Sequence, residues 1–377
     1  MKWDTPIQTT SAVSLKRLQA SRLPNTGKGL TYEGKNFGFD FASSIFFCAS
    51  CSRDSTRQEV VGNTEERKLQ IGLSWDTFVL ERWIRDRDVF VSTATQMNAE
   101  VNVQSANGSL EEQLSQIQYL IDKKMDVIVI VAVDTNSKKL AKLIDKAQEE
   151  GIKVISYDRL ISNANADLYI SFDNREVGRL MAQAVIDQIP RGGKVAAIFG
   201  PLTDNNVVEL EAGVKEVLDA NDQELVYRNY VENWQADYAQ EYTNDCLGEN
   251  GTIDGLICGN DGLAAAAYQV LAERQLAGQV CLVGQDADID ACQRVVEGSQ
   301  YMTVYKAIAD LAKQAAFYAV ALGEGKKIST TDTINDGTYE VPYFKLDPVA
   351  VTKDNMDEVV IDSQFHFYED VYLHVNE

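Results

Sequence analysis

Seven consecutive apolar residues, Val127-Ile-Val-Ile-Val-Ala-Val133, stand between Asp126 and Asp134 and leave no face that can meet water. A strand-length run that is apolar on both faces belongs to a sheet covered on both sides. Such sheets are parallel and flanked by helices. The neighbouring sequence agrees. Upstream, Ser109 with Glu112 three residues on forms a capping box. It opens a helix whose Leu110, Leu114, Ile117 and Ile121 fall at helical spacing. Downstream, Leu140, Leu143, Ile144 and Ala147 mark a second helix that Gly151 stops, and Lys153–Tyr157 reads as the next strand. Earlier still, Leu69–Trp75 is a strand, Leu80, Trp83 and Phe90 give the apolar side of a helix, and 99–104 is a strand. Strand and helix in repeated alternation predict a right-handed, doubly wound parallel sheet.

The same pattern then starts again, with strands expected at 167–172, 194–199, 224–231, 253–259 and 280–284 and amphipathic helices between them. After 301–306 one long helix runs to about Gly323, and a Gly- and Thr-rich segment leads into 341–351 and a polar tail. At 377 residues the chain has room for two such domains. The fold class is therefore α/β: two doubly wound parallel-sheet domains joined by a three-segment hinge. The first domain is expected to span 68–172 plus 306–337, and the second 173–305 plus 338–377. The crossings fall near 173–174, 304–306 and 338–342.

Residues 1–67 differ from the rest. They carry no sustained periodicity through Lys35, then an apolar burst from Phe37 that ends in Cys48-Ala-Ser-Cys51. The small-small-Cys pattern resembles the end of a lipoprotein signal, which makes Cys51 a candidate lipidation site. Asp40 within the apolar region and the distance from Met1 weigh against it, and a wrongly assigned start is the competing explanation. The polar stretch 52–68 reads as a tether.

The net charge of −22 repels phosphate backbones and excludes nucleic acid as an expected partner. His366 and His374 are the only histidines, so neither a His-based metal site nor a His triad is expected, and no cofactor is. Cys48, Cys51, Cys246, Cys258, Cys281 and Cys292 lack the spacing of a disulfide framework or zinc module, although a bridge among the last four is open.

Ligands of open α/β sheets sit at the carboxyl ends of the strands. There the chain places Arg82 and Trp83, Asp158 and Arg159, Asp204 and Asn206, Trp234, Asn260, Asp286 and Lys306. An ionised Asp only accepts hydrogen bonds, whereas Arg donates up to five in a fixed fork. Two facing edges of this kind suit a polyol or sugar, whose hydroxyls donate and accept and whose C–H faces want an aromatic plane. Singly each residue has a plainer explanation. Trp83 would pack in the core, Asn260 would cap a helix, and Lys306 would be a solvated lysine. Their shared location is what those explanations leave over.

Leu80-Glu-Arg-Trp-Ile-Arg-Asp-Arg-Asp88, Val103-Gln-Ser-Ala-Asn-Gly108, Tyr157-Asp-Arg159, Tyr169-Ile-Ser-Phe-Asp-Asn174, Gly284-Gln-Asp-Ala-Asp288 and Met302-Thr-Val-Tyr-Lys306 resemble a known family. It is the bacterial D-xylose-binding branch of the periplasmic sugar-binding proteins of the ribose/galactose type. The resemblance covers about Lys68 to Phe367. It implies that Arg82, Asp158, Arg159, Asp204, Asn206, Asn260, Asp286 and Lys306 hydrogen-bond the sugar and that Trp83 and Trp234 sandwich its ring. It also implies an extracytoplasmic location and delivery of the sugar, D-xylose or a related pyranose, to the membrane permease of an ABC transporter. A chemoreceptor is a further implied partner. Gly200-Pro-Leu-Thr203 and Tyr230 depart from the family pattern and are expected to tune pocket size.

Two rivals remain. A glycoside-active enzyme would use paired carboxylates, but Asp158, Asp204 and Asp286 each have an Arg, Asn or Lys at hand, which favours ionised acceptors over a proton donor. A sugar-responsive transcriptional regulator would carry a helix-turn-helix before the first strand, and 1–67 shows neither that pattern nor basic charge. Asp219, Asn221 and Gln223 resemble a calcium loop only faintly and read as a turn.

Overall fold

The computed structural model describes residues 67–79, 81–330 and 332–375. The export-signal reading, the lipidation candidate Cys51 and the helix residue Leu80 lie outside the described residues. The first lobe runs β1 (Leu69–Trp75), α1 (Glu81–Gln96), β2 (Ala99–Ser105), α2 (Leu110–Asp122), β3 (Val127–Ile130), α3 (Lys138–Glu149), β4 (Lys153–Tyr157) and β5 (Leu168–Phe172). The second runs α4 (Asn174–Gln188), β6 (Val195–Phe199), α5 (Asn205–Ala220), β7 (Leu225–Tyr230), α6 (Ala236–Asn250), β8 (Gly255–Cys258), α7 (Asp261–Glu273), β9 (Cys281–Gln285), α8 (Ile289–Glu297) and β10 (Met302–Tyr305). The chain closes with α9 (Ile308–Gly323), β11 (Asp332–Asn335), β12 (Glu340–Leu346), β13 (Val349–Val351) and α10 (Tyr368–Val371).

The apolar run behaves as its composition demands. Val127, Val129 and Val131 face a core that includes Phe90 and Ala94 of α1 and Leu311, Ala312 and Ala315 of α9. Ile128, Ile130 and Ala132 face Ile117, Leu120, Leu140 and Ile144 on α2 and α3. Each such Val or Ile is fully buried, and burial of a side chain this size contributes about 1.5–3 kcal/mol. The second sheet repeats the scheme: Ile198, Leu256 and Leu282 pack toward α6 and α7, whereas Phe199, Ile257 and Val283 pack toward α4 and α5.

The first sheet has strand order β11-β12-β5-β4-β3-β1-β2 and the second β13-β10-β9-β8-β6-β7. Both are parallel except at one edge each, where β11 pairs antiparallel with β12 and β13 with β10. The third crossing therefore lies elsewhere than expected. Instead of leaving the first lobe near 338–342, the chain stays there through β12, whose Tyr343–Leu346 pair in parallel with Tyr169–Phe172 of β5. The reason is packing on both faces. Val341 and Tyr343 join one core and Phe344 and Leu346 the other, and the Tyr343 ring stacks on Tyr169 at 4.7 Å. Only after Asp347-Pro348 does the chain reach the second sheet, where Val349–Val351 pair with β10. Cys246, Cys258, Cys281 and Cys292 are free thiols, so the open bridge among them is absent.

Helices α4 and α5 touch through glycine. A Cβ on Gly178 would sit 2.0 Å from the Leu210 carbonyl oxygen, and one on Gly213 would sit 1.9 Å from that of Arg175. This contact matters for function because α4 opens at Asn174 and α5 at Asn205, both at the sheet edge. Gly178→Ala is expected to lower stability by about 1–3 kcal/mol through overpacking, read as an earlier urea midpoint. An unchanged midpoint would show that the helices can part freely and that the contact does not fix the edge.

Candidate functional site

A parallel strand hands its polar sequel to the same edge every time, and the two sheets turn those edges toward one cavity. All ten expected residues line it: Arg82, Trp83, Asp158 and Arg159 from the first lobe, Asp204, Asn206, Trp234, Asn260 and Asp286 from the second, and Lys306 from the segment joining them. Phe199, Gly200, Val207, Leu210, Gly259 and Gln285 complete the wall.

The charged groups pair within and between lobes. Arg82 Nη2 donates to Asp158 Oδ2 at 2.5 Å, and Arg82 Nη1 lies 3.7 Å from Asp286 Oδ1 across the cleft. Arg159 reaches Asp76 Oδ2 with Nη1 at 2.6 Å and Asp204 Oδ2 with Nε at 2.9 Å. Lys306 Nζ stands 3.0 Å from Asp286 Oδ1. Asn206 Nδ2 donates to Asp158 Oδ1 at 2.8 Å, and its own Oδ1 accepts from Asn174 Nδ2 at 2.9 Å. Asp204 and Asn260 also cap helices, accepting from the backbone N–H of Asn206 and Leu263. The plainer explanation of Asn260 is thus true, yet its side chain lines the cavity as well.

Burial and neighbouring charge compete over the protonation states. It drives the Asp158 carboxyl upward, but Arg82, Lys306 and Arg159 outweigh it and hold Asp158 below the usual carboxylate range. For Asp204 burial wins over Arg159, and its pKa is raised. Behind the cavity Asp86 is fully buried, with Oδ2 3.6 Å from Arg82 Nε one helical turn away and Oδ1 accepting from the Tyr157 hydroxyl. Burial pushes Asp86 up to about 7 although Arg82 and Tyr157 oppose it.

The backbone is strained where the site needs it. Asp158, Trp234 and Asp286 all take positive φ, at 63°, 56° and 98°. Single non-glycine residues in that region cost about 1–3 kcal/mol and persist only where their surroundings hold them. At Asp158 the holders are visible: its carbonyl accepts from the hydroxyls of Tyr169 and Ser171, and its N–H donates to Ile170.

The two indoles come from opposite lobes. Trp83 packs edge-on to Trp75, and the Arg82 guanidinium lies 4.2 Å over its ring. Trp234 lies against Gly200, where an added Cβ would come within 2.3 Å of the ring. Glycine there is what gives the indole its place, so the Gly200 departure does bear on the cavity. Tyr230 does not line it. Its ring packs on Phe199 at 5.9 Å and its hydroxyl donates to Glu211. Sequence reasoning missed Asp76, Asp86 and Gln285. Asp76 directly follows β1, the position from which the other site residues were read.

The profile of the periplasmic binding protein domain matches residues 71–327. The chain is 42% identical over 315 residues to the D-xylose-binding periplasmic protein of Haemophilus influenzae, covering 82% of this chain and 94% of that one. It is 40% identical over 305 residues to the D-xylose-binding periplasmic protein of Escherichia coli, covering 80% and 92%. The fold is similar to a carbohydrate transporter solute-binding protein of Chloroflexus aurantiacus solved with D-glucose, with a TM-score of 0.75 at 28% identity, covering 81% and 98%.

Asp86 generates a pH prediction. Its folded pKa is raised above the unfolded value, so its contribution is present in full below the unfolded pKa and is lost as pH rises through about 7. Urea stability of the native protein relative to Asp86→Asn should therefore fall as pH rises from about 4 to about 7 and level off above that. Parallel stability profiles would mean that Asp86 does not titrate there.

Proposed function

The chain belongs to the periplasmic binding protein family, and we propose that this member captures D-xylose, or a closely related pyranose, in the cleft between its lobes. It is an extracytoplasmic sugar-binding protein of the ABC-transport type. Among the described residues no helix is long and apolar enough to cross a membrane, and the relatives it matches are binding proteins rather than enzymes.

One observation carries the reading: donors, acceptors and two aromatic faces from both lobes converge on a single cavity. Without a ligand its buried cations and carboxylates satisfy one another. A sugar hydroxyl, which donates and accepts, can stand between a donor such as Arg82 or Lys306 and an acceptor such as Asp158 or Asp286. Eight polar side chains, Arg82, Asp158, Arg159, Asp204, Asn206, Asn260, Asp286 and Lys306, are the proposed hydrogen-bonding set. Trp83 and Trp234 are the proposed faces for the pyranose ring. Glycoside cleavage would need a carboxyl poised to donate a proton. Asp158 is held ionised, and Asp204, though raised, stays paired with Arg159.

Closure follows from the same contacts. A sugar that touches both lobes shifts the open–closed equilibrium by its difference in affinity for the two forms. Asp173, Lys306-Ala307 and Asp347-Pro348, where the chain passes between lobes, are the proposed hinge. The closed form is what an ABC permease, and a chemoreceptor where one is present, would recognise.

Calorimetric titration with D-xylose, D-ribose, L-arabinose, D-glucose and D-galactose tests this. D-Xylose is expected to bind with 1:1 stoichiometry and to be preferred. Asp158→Ala should weaken binding by about 2–5 kcal/mol, since it leaves Arg82 short of its buried partner, and Trp234→Ala by about 1–3 kcal/mol. Preference for another sugar would move the specificity and leave the mechanism. No binding to any of the five would overturn the proposal.

A further inference from the structure

Gln285 ends β9 beside Asp286, is 5% exposed and lines the cavity. Its Nε2 donates to the Gly259 carbonyl oxygen at 2.5 Å. A carbonyl can only accept, so this bond fixes the amide's orientation and leaves Oε1 as the end available to a ligand. Oε1 is buried and has no hydrogen-bond partner. The other acceptor side chains of the cavity have a donor or a cation beside them: Asp158 has Arg82 and Asn206, Asp204 has Arg159, Asn206 has Asn174, and Asn260 has the Leu263 N–H. Asp286, whose Oδ1 likewise makes no hydrogen bond, is compensated by its ion pair with Lys306. A buried acceptor left without a donor costs about 1–3 kcal/mol and is rare in folded proteins.

We propose that Gln285 is a further sugar-binding residue, its carboxamide oxygen accepting a hydrogen bond from one hydroxyl of the bound pyranose. The inference rests on the monosaccharide reading above. It also gives Gln285 a role that the aspartates do not have. Each aspartate has a cation beside it that a sugar must share, whereas Gln285 Oε1, a neutral acceptor with no cation and no donor, gains its bond from the sugar alone. Its interaction therefore favours the liganded closed state specifically.

The test is a cycle between the side chain and the sugar hydroxyls, run on the full chain by calorimetry. Gln285→Met keeps length and burial but removes the acceptor, and Gln285→Leu serves the same cycle if the first variant does not fold. The sugars are D-xylose and its four monodeoxy analogues, 1,5-anhydroxylitol included. D-Xylose is expected to bind the variant about 10-fold more weakly. For one analogue, the one lacking the partner hydroxyl, native protein and variant should bind alike. An equal loss for D-xylose and all four analogues would mean that Gln285 only supports Gly259, and it would overturn the proposal. So would an unchanged affinity for D-xylose. Failure of the native protein to bind D-xylose or any other pentose or hexose would remove the monosaccharide reading, and this inference with it.

Discussion

Carboxylates and guanidinium groups taken out of water must find each other, and here they do so across a cleft. Asp204 in the second lobe neutralises Arg159 in the first, and Asn206 in the second holds Asp158 in the first. Asp286 in the second lobe sits between Arg82 and Lys306. The first lobe pairs Arg82 with Asp158 and Arg159 with Asp76 by itself. Asp204 and Asp286 of the second lobe, however, find their cations only across the cleft or on the joining segment, and an unpaired buried charge costs several kcal/mol. On the proposed hinge closure, opening the cleft would return them to water and remove the penalty. That balance is what a binding protein requires: a closed form stable enough to exist, and not so stable that ligand makes no difference.

The sheets make this possible by supplying direction. The strands of the second lobe from β6 to β10 run parallel to one another, so every strand-to-helix turn among them emerges on one edge and brings its polar residues with it. The turns are then bent to aim the side chains, and the positive φ of Asp158, Trp234 and Asp286 records that bending. Surrounding bonds hold it. Around Asp286, for example, its own N–H donates to Val304, while Thr303 Oγ1 accepts the next N–H, that of Ala287, and itself donates to Asp261. Left-handed backbone also occurs in turns elsewhere in the chain, most often at Gly and Asn, but at the cavity it falls on Asp158, Trp234 and Asp286, which are among the residues that line it.

Much of this was legible because it depends on local pattern. Val127 to Val133 announces a covered parallel strand by composition alone, and the residue following a strand is positioned by the strand, so ten cavity residues could be read from chain order. Asp76 and Asp86 were equally readable in principle. One follows β1 directly, and the other stands four residues after Arg82 on the same helix face. Gln285 directly follows the expected strand 280–284 and was as readable in position as Asp286; what the sequence could not show is its bond to the Gly259 carbonyl, which lies just past β8. The path of β12 was hidden for a similar reason. Its two-sided apolar pattern fits either sheet, and what selects the first is contact remote in sequence: pairing with β5, packing into both cores of that lobe and the stack of Tyr343 on Tyr169. Tyr230 shows the converse limit: its place in the chain suggested a cavity residue, but Phe199 stands in front of it.

Charge arithmetic within the cavity explains the class of ligand. Its lining carries three cations, Arg82, Arg159 and Lys306, and three carboxylates, Asp158, Asp204 and Asp286. With these six ionised the set is neutral, and each member already has an opposite charge beside it. An anionic ligand would claim the cations and strand carboxylates in a dry site; a cationic ligand would do the reverse. Either outcome leaves a buried charge uncompensated. A neutral polyol adds hydrogen bonds to both members of each pair without separating their charge, and its C–H face meets an indole without losing hydration it needs. If this cavity is the sugar site as proposed, discrimination against sugar phosphates, sugar acids and amino sugars follows from its charge balance. On the same proposal, discrimination among neutral sugars would fall to finer features: the apolar side chains Phe199, Val207 and Leu210, which offer no partner to an extra hydroxyl, and the position of Trp234 over Gly200.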